Sequence, residues 1–97
     1  MKIVVKYKKY FAYGTEVVLP LEVSEDWLVN DLKKIVRGHT NVEVEHQELY
    51  VRQYGDFKEM LDNNSLGFYQ LEENSRLLLL SPFMHSKYQD EHHIGGA

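Results

Sequence analysis

Between Val23 and Val29 the hydrophobic pattern of this chain changes period, from that of a strand to that of a helix. Before it, Val17, Leu19, Leu21 and Val23 recur at every second residue on one face, with Val18, Pro20 and Glu22 on the other. After it, Val29, Leu32, Ile35 and Val36 recur at helical spacing, with Asn30, Asp31, Lys33 and Lys34 turned away. A helix with a single apolar stripe must lay that stripe on something flat. The preceding alternation supplies it, so the pattern predicts one helix across one face of a sheet.

The flanking segments extend this picture. Ile3 to Tyr7 is short and β-branched, and a polar, aromatic bend with Gly14 leads into the Val17–Val23 run, which predicts an amphipathic hairpin. Pro20 lacks a ladder donor and places the second strand at an edge or a bulge. Asp26 is positioned to cap the helix and Gly38 to end it in a left-handed conformation. Glu48–Val51 reads as a short strand, and Arg52–Ser65, with Gly55 and Asp62-Asn63-Asn64, as a long irregular loop. Leu66 to Leu71 reads as a compact turn. Arg76–Leu80 reads as the last strand, halted by Ser81-Pro82, and its continuous apolarity predicts a central position, parallel to the first strand. The expected core is Val29, Leu32, Ile35 and Val36 on Ile3, Val5, Leu19, Leu21, Leu49, Leu77 and Leu79.

Composition narrows the function. Ninety-seven residues, 43% apolar and 12% aromatic, suffice for one compact core and leave little room for a deep cleft. A net charge of −4 argues against nucleic acid as partner, since 15 acids outnumber 11 bases. One local exception, Lys6-Tyr7-Lys8-Lys9-Tyr10, reads as an edge strand and loop kept soluble by lysines. The absence of cysteine excludes thiol nucleophiles, disulfides and thiolate zinc sites. No apolar run approaches the ~20 residues that cross a bilayer, so the expectation is a monomer in the cytoplasm without membrane partners. No Gly-x-Ser-x-Gly frame surrounds any serine, and no phosphate-cradling glycine loop follows a strand, so no catalytic role is expected. His85, His92 and His93, with Asp90 and Glu91, carry metal-binding atoms in a polar tail from Met84 that is expected to be disordered; no metal or cofactor is expected. His39 and His46 read as exposed loop residues.

With these elements in order, the chain resembles ubiquitin. Met1 to Lys6 resembles its opening strand, Leu21-Glu22-Val23 followed by Asp31-Leu32-Lys33-Lys34-Ile35 its second strand and helix, and Gln47-Glu48-Leu49-Tyr50 with Leu77 to Leu80 its second half. The resemblance implies an α+β ubiquitin-like β-grasp: a mixed sheet of four to five strands with one helix packed across one face. It covers residues 1–82, with residues 83–97 as a flexible tail, and insertions at Lys8–Gly14 and Arg52–Glu59. Glu48-Leu49-Tyr50, Phe57, Leu61-Asp62 and Leu66 to Asn74 are most similar to the ubiquitin-like domains of tubulin-folding cofactors, without the further modules those proteins carry.

If Leu77 and Leu79 face the helix, alternation puts Leu78 and Leu80 on the open face of the sheet, with Tyr50 and, near it, Lys6, Glu48 and Arg52. The resemblance implies that this face binds other proteins, with Tyr50 in the place of ubiquitin's central isoleucine and Leu80 in that of its valine. The function expected is a non-catalytic interaction module of a chaperone or adaptor. The alternative is a protein modifier of the ubiquitin or SUMO kind, conjugated through Gly96 of the Gly95-Gly96 pair after removal of Ala97.

Overall fold

A computed structural model describes residues 1–10 and 13–81. The strands are β1 (Lys2–Tyr10), β2 (Tyr13–Glu22), β3 (Glu48–Gln53), β4 (Asp56–Glu59) and β5 (Ser75–Leu80), and the helix α1 is Val29–Thr40. They form one sheet in the order β2-β1-β5-β3-β4, in which only β1 and β5 pair in parallel. With α1 across one face, this is the ubiquitin-like β-grasp. β5 sits at the centre, as its apolarity requires, and Pro20 lies on the edge strand β2. Lys6–Tyr10, expected as an edge strand and loop, instead continues β1 as strand, paired with β2 as far as Tyr10.

The core lies between sheet and helix. Ile3, Val5, Leu49, Leu77 and Leu79 meet Val29, Leu32 and Val36, and all are buried. Leu19 and Leu21 pack against this cluster while partly exposed, since β2 is an edge. Two expectations about the stripe need correction. Ile35 is only half-buried, and Lys33 is the buried neighbour in its place. The Lys33 stem follows the core surface and its ammonium donates to Asp62 Oδ1 at 2.6 Å, so the charge emerges where a carboxylate meets it.

The helix boundaries differ from the expected ones for a tertiary reason. Asp26 is not the cap, and α1 starts later. The N–H groups of Val29 and Asn30 donate to the carbonyls of Asn64 (2.9 Å) and Asp62 (3.1 Å), while Asp31 accepts the Leu28 N–H. A distant loop thus satisfies donors that a local side chain was expected to take. At the other end Gly38 lies inside the helix, and Asn41, at φ 61°, is the left-handed residue, its N–H returning to the Arg37 carbonyl. His39 is therefore helical and exposed, and His46 lies in a short 3₁₀ turn, Val44–His46, half-buried; neither is a plain loop residue.

The largest correction concerns Arg52–Ser65. Its first half is a second hairpin: β3 runs on to Gln53, and Tyr54 and Gly55, with φ of 53° and 86°, turn the chain into β4. Two successive positive φ values make a two-residue primed turn, whose twist matches that of the strands. Glycine meets this at no cost; tyrosine does not. The second half, with the 3₁₀ turn Gly67–Tyr69, closes the core edge through Met60, Leu66, Tyr69 and Leu71, all buried. Gly67 allows the close approach there: its N–H donates to the Glu25 carbonyl at 2.9 Å, and a Cβ would meet that oxygen at 3.3 Å.

Candidate protein-binding surface

The face opposite the helix can be built row by row from the strand registers. Lys6 pairs with Val18 of β2 and with Leu78 of β5, Leu78 with Tyr50, and Tyr50 with Glu59 of β4. Alternation points these side chains away from the helix, because their neighbours Val5, Leu49, Val51, Leu77 and Leu79 are buried. One row therefore reads Val18, Lys6, Leu78, Tyr50, Glu59. The next places Leu80 opposite Glu48. On the other side, Val4 pairs with Pro20 and Arg76, and Arg52 with Phe57.

All five patch residues expected from the sequence, Lys6, Tyr50, Arg52, Leu78 and Leu80, share this face. Leu80 is 41% exposed and Leu78 and Tyr50 are half-buried, so the centre is apolar and within reach of a partner. Val4, Val18, Phe57 and Arg76 join them there; of these, the sequence pattern had placed only Val18 on the outward side of its strand. Val4 and Arg76 were legible from alternation with Lys6 and Leu78. Phe57, 59% exposed with the Arg52 guanidinium 6.0 Å from its ring centre, was hidden by reading its strand as a loop. Gly95 and Gly96, the conjugation end in the alternative, lie outside the described residues, as do His85, His92 and His93 of the tail.

The Tyr50 hydroxyl donates to Glu48 Oε1 at 2.5 Å. That bond, with desolvation and the nearby carboxylates of Glu48 and Glu59, pushes the phenol up to about 12. A raised phenol pKa favours the protonated fold below the ordinary value of 10.0, and this contribution is lost as pH rises from there through about 12. Glu48→Gln is expected to bring the Tyr50 ring titration, followed by NMR, down toward 10.0. Superimposable curves would show that Glu48 does not hold the ring.

Among the described residues no group of three His, Asp or Glu side chains converges as a metal set, and no helix is long and apolar enough to cross a membrane. No protein-family model matches the chain, and no curated protein matches it. Solved chains of similar shape are numerous, 386 in all, so the fold is widely reused and weak evidence for any single function. One belongs to the crystal structure of ATBAG1 in complex with HSP70, with a TM-score of 0.68 at 20% identity. The match covers 98% of this chain and 49% of that one, so this chain spans about half the length of its structural neighbour.

Proposed function

We propose that this chain is a non-catalytic protein-interaction module that captures its partner on the open face of the sheet. Tyr50, Leu78 and Leu80 serve as apolar anchors, with Lys6 and Arg52 setting orientation at their side. The observation that carries the reading is the continuous row Val18, Lys6, Leu78, Tyr50, which leaves apolar surface at the centre of a wet face. Each such side chain contributes roughly 1.5–3 kcal/mol when fully buried. Three of them reach about micromolar affinity once association costs are met.

A partner from a chaperone system is the first to test. The similar solved chain comes from a complex with HSP70, and residues 48–74 resemble the ubiquitin-like domains of tubulin-folding cofactors. Both point toward adaptors of protein folding, with HSP70 as the probe and tubulin as the second.

Leu80→Ser is expected to leave the denaturant midpoint nearly unchanged, because the side chain is already 41% exposed. It is expected to weaken capture of the full chain by purified HSP70 at least about ten-fold, a loss of roughly 1.4 kcal/mol. If the variant unfolds, the leucine is core and there is no patch. If capture is unaltered, the partner sits elsewhere, and if neither HSP70 nor tubulin binds, the chaperone assignment falls.

A further inference from the structure

Five cations point from the open face, Lys2, Lys6 and Lys8 of β1, Arg52 of β3 and Arg76 of β5, in a chain whose net charge is −4. Every ion pair among the described residues lies elsewhere: the N-terminus with Glu22, Lys33 with Asp62, Lys34 with Asp31, and Arg37 with Glu43. The Glu73 carboxylate, which could reach this side, is engaged by the Lys2 N–H at 3.0 Å. Four acids share the face: Glu22 and Glu16 of β2, opposite Lys2 and Lys8, and Glu48 and Glu59, which flank Tyr50.

Two of these cations are neighbours. Val51 pairs with Leu77 in the antiparallel register, so Arg52 and Arg76 come next to each other one step further along. Like charges facing each other across two strands destabilise a sheet. Both guanidiniums are exposed, and neither meets a carboxylate among the described residues. The Phe57 ring lies beneath the Arg52 guanidinium, which is 6.0 Å from the ring centre. Val4 adjoins Arg76 on the other side, so the row Val4, Arg76, Arg52, Phe57 has two free fork-shaped donors between two apolar walls.

We propose that Arg52 and Arg76 form a carboxylate-binding subsite, and that the partner segment taken by the open face is an acidic peptide. Its carboxylates bridge the two guanidiniums, relieving their mutual repulsion, while an adjoining apolar side chain seats on Val4 and Leu78. Arginine suits this because its planar fork matches a carboxylate with two parallel hydrogen bonds. The inference rests on the open-face reading and supplies its charge specificity. The β3–β4 hairpin is the element that makes it, because it places Phe57 under Arg52 and leaves that guanidinium facing outward.

The test uses the full ¹⁵N-labelled chain and two synthetic peptides, a leucine flanked on each side by glutamates and the same peptide with glutamines. At low salt the glutamate peptide is expected to shift the backbone amides of Arg52, Arg76 and Leu78 and to bind about ten-fold tighter than its glutamine twin, an advantage that high salt removes. The double variant Arg52→Gln, Arg76→Gln is expected to erase that advantage while melting no lower than the wild type. Equal binding of both peptides overturns the carboxylate subsite and leaves the apolar patch standing. Equally strong shifts of the same amides by inorganic phosphate would mark a general anion site and overturn the acidic peptide. A double variant that melts lower would make the arginines structural, and no shift with either peptide sinks the proposal outright.

Discussion

Leu32→Ala is expected to lower the stability of this domain by about 2–5 kcal/mol. Leu32 is fully buried, in the middle of the stripe Val29, Leu32, Val36 that is the helix's contribution to the core. Truncation removes the transfer energy of the side chain and leaves a cavity, because a helix tied to the sheet on one side and to the 62–64 loop on the other cannot collapse into it. For a domain of this length the whole stability is of order 5–10 kcal/mol, so the loss would bring it near the edge of folding. Ile35→Ala is the control, expected to cost about 1 kcal/mol because that side chain is only half-buried. Denaturant melts of the two variants measure the difference. Equal losses would mean that the helix is rotated about its axis from the orientation described, and a Leu32 loss below about 1 kcal/mol would detach the stripe from the core altogether.

The contrast between Leu32 and Ile35 also shows which parts of the fold a sequence carries. Period and alternation are local, and they identified the first hairpin, the helix, the apolar β5 and its central parallel placement. Rotation of the helix to within one residue is not local. Lys33 replaced Ile35 against the core because Asp62, 29 positions away, holds its ammonium at the surface. The helix start was misplaced for the same reason, since the carbonyls of Asp62 and Asn64 do the work expected of Asp26. The second hairpin was legible in principle: Gly55 stands between alternating runs, but a tyrosine in the other turn position disguised a turn usually marked by asparagine. Its loss hid Phe57, and with it the aromatic wall of the arginine pair. The face of Lys6, Tyr50, Arg52, Leu78 and Leu80 was legible because alternation is sufficient for assigning a face, whereas adjacency within a face needs the register between strands. Arg52 and Arg76 are 24 positions apart in sequence, and only the pairing of Val51 with Leu77 makes them neighbours.

A buried ring at the far side of the β3–β4 hairpin ties the open face to the loop that meets the helix. Tyr69 is 1% exposed, and its phenol oxygen accepts the Leu61 N–H at 2.7 Å and Asn64 Nδ2 at 3.0 Å. Its carbonyl accepts Gln53 Nε2 at 2.7 Å, which ties the end of β3 to the same turn. The side chain thus fixes the loop whose carbonyls accept the first N–H groups of α1, while the backbone carbonyl of the same residue holds the end of the strand that carries Arg52. Tyr69→Ala is expected to cost about 3–5 kcal/mol, the range for removing a buried aromatic ring. Tyr69→Phe keeps the ring and strips only the acceptor, leaving the Leu61 N–H without its partner, and is expected to cost about 1–3 kcal/mol. Adding Asn64→Ala to Tyr69→Phe should then cost less than the sum of the two, since both remove the same bond. Hydrogen exchange locates the damage: the Leu61, Val29 and Asn30 amides are expected to lose protection in Tyr69→Phe, while those of β1 keep theirs. If Tyr69→Phe is as stable as the wild type, the hydroxyl is a passenger and packing alone orders the loop. If it loses stability while protection at Val29 and Asn30 is unchanged, the start of the helix is independent of the ring, and the proposed link between the core edge and the face that carries Arg52 has to be sought through Gln53 instead.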